Sequence, residues 1–378
     1  MGCCCFGVCF VKIGYTNMTE VLYRKYRPRS FSEIKGQEHV IQTLKGAISQ
    51  NKVAHAYLFS GPRGTGKTTM ARLFAKTINC EKPNSHEPCN VCPTCISIDE
   101  GRSIDIIEID GASNRGIDEI RNIKEMARVA SSQNKYKVFI IDEVHSLTKD
   151  AFNALLKTLE EPPAHVKFIM ATTEPHKLLP TVLSRVQRFD FRKISLDQIV
   201  EKLKFVAEKE KIVVDDDVLK IIGISAEGSL RDAESTLAKL LAMGGAKVTL
   251  EDTKEALGYI PANSYIDFLD LLLKDHKDEA IVYINNLYES GIELDIFTNG
   301  FIDLVRKIII LKALREESGS LASEFSDEHL NKMREFSNTI ETQKLTAIIK
   351  AMIIARNEMK ISPIPQLPLE LAIMDLIA

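Results

Sequence analysis

The stretch AYLFSGPRGTGKTTMARLFAKTI, Ala56 to Ile78, decides the fold. It opens with an apolar run, passes through Gly61, Pro62, Arg63, Gly64, Thr65, Gly66, Lys67, Thr68 and Thr69, and continues with apolar residues at helical spacing. Strand, glycine loop and helix in that order form the context a phosphate-binding loop requires. The glycines let backbone amides turn inward onto phosphate oxygens. Lys67 is expected to reach the β and γ phosphate oxygens, and Thr68 offers a hydroxyl to Mg²⁺. A glycine turn with only a structural role is the alternative, and the matched flanks weigh against it.

Further short runs, IDIIEID, KVFIID, VKFIMATT and RFDF, alternate with helical patterns up to about Arg192. Continuous apolar strands separated by helices predict a buried parallel sheet with helices on both faces, an α/β architecture. In KVFIIDEVH the strand ends on Asp142, where a carboxylate can hold the metal's water shell, and Glu143 follows where a base could polarise an attacking water. An acidic strand end without function is the competing reading. An Asp-Glu pair favours a hydrolase over a kinase, which must keep water out.

Between Thr148 and Pro163, Phe152, Leu155, Leu156 and Leu159 share one helical face, Lys157 lies on the other, and two prolines stop the helix. After Ser195 the strand patterns vanish. Residues 195–258 read as a small helical lid broken at Gly228 and at Gly244-Gly245, with GSLRDAESTLAKLLAM its clearest amphipathic segment. Residues 259–378 read as a helical C-terminal domain, in which FIDLVRKIIILKALREE is helical and SPIPQLP is extended through Pro363, Pro365 and Pro368. Residues 18–194 form the α/β domain. Residues 1–17 are expected to be an unstructured extension upstream of a natural start at Met18.

The chain of 378 residues carries 49 Lys and Arg against 52 Asp and Glu, a net charge of -3, so any nucleic-acid contact must be local. No long uncharged apolar run is present, which excludes a membrane span. The eight cysteines fall in two clusters. This argues against a disulfide framework and for a reducing cytoplasm. The second cluster, Cys80, Cys89, Cys92 and Cys95, forms an insertion (residues 80–95) that matches a tetrahedral Cys4 zinc site with no open position, hence a structural knuckle. An iron-sulfur cluster and free thiols are the alternatives. His86 lies in the first gap of a shell that four thiols already fill.

Arginine can offset the charge that phosphoryl transfer develops. Arg185 in LPTVLSRVQRF and Arg231 in EGSLRDAES are candidates that spacing alone does not distinguish from surface arginines. The motifs YRKYRPRSFSEIKGQ, GPRGTGKTT, the cysteine insertion, IDEVHSLTKDAFNALLKTLEEPP, ATTEPHKLLPTVLSR and EGSLRDAES resemble, in order and spacing, the gamma/tau subunits of bacterial DNA polymerase III. The likeness is strong from about Met18 to Ala242; the C-terminal domain shares only length and helical character.

This resemblance implies an AAA+ ATPase that joins delta and delta-prime subunits in a heteropentamer through a C-terminal collar. It implies that ATP binding lets the assembly open the β sliding clamp, and that primer-template DNA triggers hydrolysis. Residue by residue, it implies that Lys67 and Thr68 hold ATP and Mg²⁺, that Asp142 and Glu143 do metal and water work, and that Thr172 senses the γ-phosphate. Arg185 resembles the finger that reaches a neighbour's ATP, Arg231 resembles a lid sensor acting in cis, and Tyr26, Arg27 and Pro28 match the segment over the adenine. Val186 follows Arg185 where the family commonly has cysteine. The end at Ala378 resembles a gamma-like form or a naturally short subunit, which leaves tethering of polymerase or helicase open.

DNA would be held without base reading. Arg115, Arg121 and Lys157 are the candidate contacts, against a reading as solvated helix faces. A catalytically silent scaffold similar to delta-prime and a hexameric branch-migration motor are the alternative functions. Intact Lys67, Thr68 and Glu143 weigh against the first, and the cysteine insertion against the second.

Overall fold

Strand β1 (Ala56–Ser60) lies near the centre of a five-stranded parallel sheet with β2 (Ile106–Asp110), β3 (Lys137–Asp142), β4 (Val166–Thr172) and β5 (Gln187–Asp190), in the order β2-β3-β4-β1-β5. The computed structural model describes residues 21–244, 247–250, 253, 258, 260–314 and 327–377; the 1–17 extension lies outside them. All the apolar runs read from the sequence are strands. β1 and β4 are buried along their whole length because helices cover both faces. Leu58, Phe139, Ile141, Phe168 and Met170 face α5 (Ile117–Arg128) and α6 (Lys149–Glu160), while Tyr57, Phe59, Val138, Ile140 and Ile169 face α2 (Glu38–Ser49) and α3 (Lys67–Asn79). This period-two division gives the domain two apolar layers. Phe152, Leu155 and Leu159 of α6 are buried, Leu156 is half-buried and Lys157 is exposed, as their helical spacing requires.

The remaining helices of this part are α1 (Leu22–Lys25), α4 (Pro93–Asp99) and α7 (Pro180–Leu183), followed by α8 (Leu196–Glu210), α9 (Asp216–Ser225) and α10 (Leu230–Gly244) of the lid. Ser195 caps α8 by accepting from the Gln198 amide, and Gly228, at φ 91°, separates α9 from α10. One expectation is corrected here. Strands do not vanish after Ser195, because β6 (Val213–Val214) pairs in parallel with β7 (Lys247–Val248). Each is too short for its β-branched valines to leave a readable alternation. The chain divides into compact units between Leu250 and Glu251, directly after β7, where sequence reading placed a boundary at 258.

The lid holds two buried opposite charges, Lys202 on α8 and Glu234 on α10. Burial raises the Glu234 carboxyl to about 7, although the Lys202 ammonium offsets part of the effect. A folded pKa above the unfolded one favours folding at low pH, and that contribution is lost as pH rises through 7. Glu234→Gln is therefore expected to flatten the decline in stability between the ordinary glutamate range and pH 7. The change is on the order of a few kcal/mol, read by urea denaturation across that window.

The C-terminal unit contains α11 (Ala262–Leu273), α12 (Lys277–Glu289), α13 (Leu294–Leu314), α14 (Asp327–Thr339), α15 (Thr342–Met359) and α16 (Leu367–Leu376). Phe268, Phe297 and Phe301 form its aromatic centre, with ring centroids 4.9 to 6.3 Å apart. The extended reading of SPIPQLP is corrected at its end: Pro368 sits in the first turn of α16, where its missing N–H would be unpaired anyway. Among the described residues no helix is long and apolar enough to cross a membrane.

Candidate active site

In an open parallel sheet, ligands bind beyond the carboxyl ends of the strands. Three sequence-read elements converge there: the loop after β1, Asp142-Glu143 at the end of β3, and Thr172 at the end of β4. Gly61, Gly64 and Gly66 all have positive φ, and Gly66 leads directly into α3, so the amides of its first turn face the loop. The Thr65 hydroxyl donates to the Pro62 carbonyl at 2.8 Å and locks the turn. Arg63 is exposed, and Thr69 is half-buried in the first turn of α3.

Lys67 Nζ donates to the carbonyls of Gly61 at 2.9 Å and Pro62 at 2.8 Å. Burial pushes its ammonium below the usual lysine range, and the charges of Glu143 and Asp142 only partly counter this. A bound phosphate would supply the missing negative partner. Thr68 Oγ1 donates to Asp142 Oδ2 at 2.7 Å, which places hydroxyl and carboxylate together as a magnesium site requires. Glu143 has φ 45°, and its Oε2 accepts from Thr173 Oγ1 at 3.1 Å and lies 3.4 Å from His145 Nδ1. Thr172 is buried, and its hydroxyl pairs with His145 Nδ1 at 2.9 Å and accepts from the Glu174 amide at 3.0 Å.

The lid closes onto the loop itself. The Leu230 amide donates to the Gly64 carbonyl at 3.1 Å, and Ser229 packs against Gly64 so closely that a β-carbon there would meet Ser229 Oγ at 1.8 Å. Arg231, the next residue of α10, is exposed and stacks over Tyr23 at 4.9 Å. Tyr26 rests on the lid as well: its hydroxyl donates to Glu210 at 2.9 Å and its carbonyl accepts from Lys202 at 3.0 Å. Arg27 and Pro28 follow it, half-buried.

Arg185 is not brought to this site. It precedes β5 at the amino ends of the strands, in a cleft with Ala54, His55 and Ala56, and it pairs with Glu160 at 2.8 Å. The phosphate loop leaves the opposite end of β1.

The four cysteine sulfurs lie within 4.8 Å of one another. A tetrahedral ion with Zn–S bonds of about 2.3 Å would hold sulfurs about 3.8 Å apart. Cys89 and Cys95 stand at 3.9 Å, so the group fits. Backbone amides of Cys89, Cys92 and Cys95 donate to the sulfurs of Cys80, Cys89 and Cys92 at 3.3 to 3.4 Å. Amide donation, from Val91 first, lowers the Cys89 thiol to about 6, whereas burial raises Cys80 and Cys95. The flanks of the insertion are joined by Lys76–Asp99 at 2.7 Å, and the insertion itself is tied down by Glu87, which meets the Phe31 amide and Lys45. These ties do not touch the phosphate loop. Cys89→Ser with Cys92→Ser is accordingly expected to reduce bound zinc from about one per chain to near none while ATP hydrolysis persists. Metal analysis beside a turnover assay checks it.

Family models match three consecutive segments: "DNA polymerase III, delta subunit" over residues 36–195, "DNA polymerase III clamp loader subunit, ATPase lid domain" over 198–246, and "DNA polymerase III subunits gamma and tau domain III" over 248–378. DNA polymerase III subunit gamma of Buchnera aphidicola is 33% identical over 95% of this chain and 99% of its own length. This chain belongs to the DNA polymerase III gamma/tau family. Subunit tau of Bacillus subtilis is 42% identical over 94% of this chain, and that of Escherichia coli 35% over 95%. The chain spans 62% and 55%, respectively, of those two relatives.

In this gamma/tau chain the parallel sheet and its loop are followed by a helical segment that matches an ATPase lid domain. Among the DNA candidates, Arg115 and Arg121 are exposed before and on α5, and Lys157 is exposed near the end of α6, which packs beside α5. Arg121 pairs with Asp118 at 2.9 Å. Sequence reading missed His145, Thr173, Glu174, Ser229 and Glu160. His145 alone carried a signal, since IDEVH places an imidazole beside the acidic pair.

Proposed function

We infer that this chain is an ATP-hydrolysing motor subunit of a clamp loader. It joins delta and delta-prime subunits through the helical domain, read as residues 259–378, uses ATP binding to grip the β sliding clamp, and releases it on primer-template DNA by hydrolysis. The observation that carries this reading is the joint placement of Lys67, the Thr68–Asp142 pair and Glu143 beneath a lid bonded to the loop. Near full-length likeness to a gamma subunit supports it.

Lys67 and the loop amides from Arg63 to Thr69 would bind the phosphates, with Thr68 and Asp142 holding magnesium. When bound, that ion neutralises charge on the β and γ phosphates. Glu143 takes the proton of the attacking water, and Thr172 reports the γ-phosphate through its contact with His145. Arg231 acts in cis from the lid, Tyr26, Arg27 and Pro28 cover the base, and Arg185 serves the neighbouring protomer. Cys80, Cys89, Cys92 and Cys95 hold a structural zinc. Arg115, Arg121 and Lys157 meet DNA phosphates, and the assembly works in the cytoplasm.

The test is clamp loading onto primed DNA by the chain together with delta, delta-prime and clamp. Parent protein is expected to load, and Lys67→Ala to fail for want of bound ATP. Loading by Lys67→Ala at the parent rate would sink the reading.

A further inference from the structure

In the last turn of α6, Lys157 suits the helix dipole, but the residue that closes the helix does not. The negative end of a helix favours lysine or arginine, yet α6 ends on Glu160, followed by Glu161 and two prolines. The Glu160 carboxylate has a definite partner, an Arg185 Nη2 at 2.8 Å. The other amino group of that guanidinium, Nη1, donates to the Thr181 carbonyl at 2.8 Å and to Ser184 Oγ at 3.1 Å. Carbonyl and hydroxyl fix the side chain without cancelling its charge, whereas the carboxylate cancels it. Arg185 keeps 34% and Glu160 49% of their side-chain surface open, and both line a cleft of about 680 Å³. A phosphate entering that cleft has access to the guanidinium and competes with Glu160 for it.

We propose that Glu160 is a positioning residue that parks Arg185 in a charge-neutralised state, released when phosphate oxygens of a neighbouring protomer's ATP displace its carboxylate. The inference rests on the reading of Arg185 as the trans-acting arginine. Thr181 and Ser184 keep the guanidinium in place during the exchange, so only one ion-pair partner changes. Glu160 thereby sets the barrier to hydrolysis before DNA arrives and is not itself in contact with the nucleotide.

Glu160→Gln keeps the side-chain length and removes the charge. In the assembly with delta, delta-prime and clamp but no DNA, it is expected to raise single-turnover ATP hydrolysis roughly two- to fivefold, the range open to a half-exposed ion pair. The ratio of DNA-stimulated to DNA-free rates narrows accordingly. In an Arg185→Ala background the exchange is expected to have no further effect. An equal rise in that background, an unchanged DNA-free rate, or a fall in both rates would each overturn the proposal. If Arg185→Ala alone hydrolyses ATP at the full stimulated rate, the trans reading itself fails, an outcome distinct from a silent Glu160→Gln. Binding of a fluorescent ATP analogue, which a folding defect would abolish and release of Arg185 would not, accompanies each variant.

Discussion

Replacement of Arg185 by alanine is expected to lower DNA-stimulated ATP hydrolysis by roughly 10³-fold or more, while the subunit's own affinity for ATP stays nearly unchanged. The expectation follows from where the side chain stands. β1 runs from Ala56 to Ser60, and five strand residues span about 17 Å. Arg185 lies beside Ala56, whereas the phosphate loop begins after Ser60. No rotamer carries a guanidinium from one end of the sheet to the other, so the role proposed for Arg185 is one exerted on an adjoining copy. Mixed assemblies of Arg185→Ala and Lys67→Ala chains should therefore recover part of the lost turnover, since each lends what the other lacks. Full turnover by an assembly made only of Arg185→Ala chains would remove the arginine from the mechanism.

Glu143→Gln should also have a large effect, with hydrolysis slowed by about 10² to 10⁴-fold and ATP still bound. Glutamine preserves the shape and the hydrogen bond from Thr173 but has no basic oxygen to accept a proton from water. The left-handed backbone at Glu143 costs about 1–3 kcal/mol in a residue with a β-carbon. That strain turns the side chain away from the strand axis toward Thr173 and His145. The measurement pairs phosphate release with equilibrium binding of an ATP analogue. A variant that loses both together would assign Glu143 to binding, and one that loses neither would clear it of the chemistry.

The sequence made the α/β domain legible because each of its strands is a short apolar run, and a buried parallel strand needs nothing more. The loop was legible for a related reason: its chemistry sits in consecutive residues from Gly61 to Thr68. The two-residue strands β6 and β7 were not, since a pairing of that size leaves no period to count. Contacts that join distant segments also escaped. Ser229 looks like an ordinary cap for α10 until Gly64 is seen beside it, and Glu160 looks like a solvated helix end until Arg185 arrives from another element. Arg185 itself could be singled out only by resemblance, because the role proposed for it, on a neighbour, leaves no local pattern in its own chain.

The contact between Gly64 and Ser229 ties two parts of the chain that an engineer would treat as separable modules. A hybrid built by grafting the lid of one relative onto the ATPase core of another would place a foreign residue against this glycine. Anything bulkier than serine there would push the graft off the loop, and the Leu230 to Gly64 bond would go with it. Positions 64 and 229 are best exchanged as a pair, and the junction for such chimaeras belongs beyond Leu230.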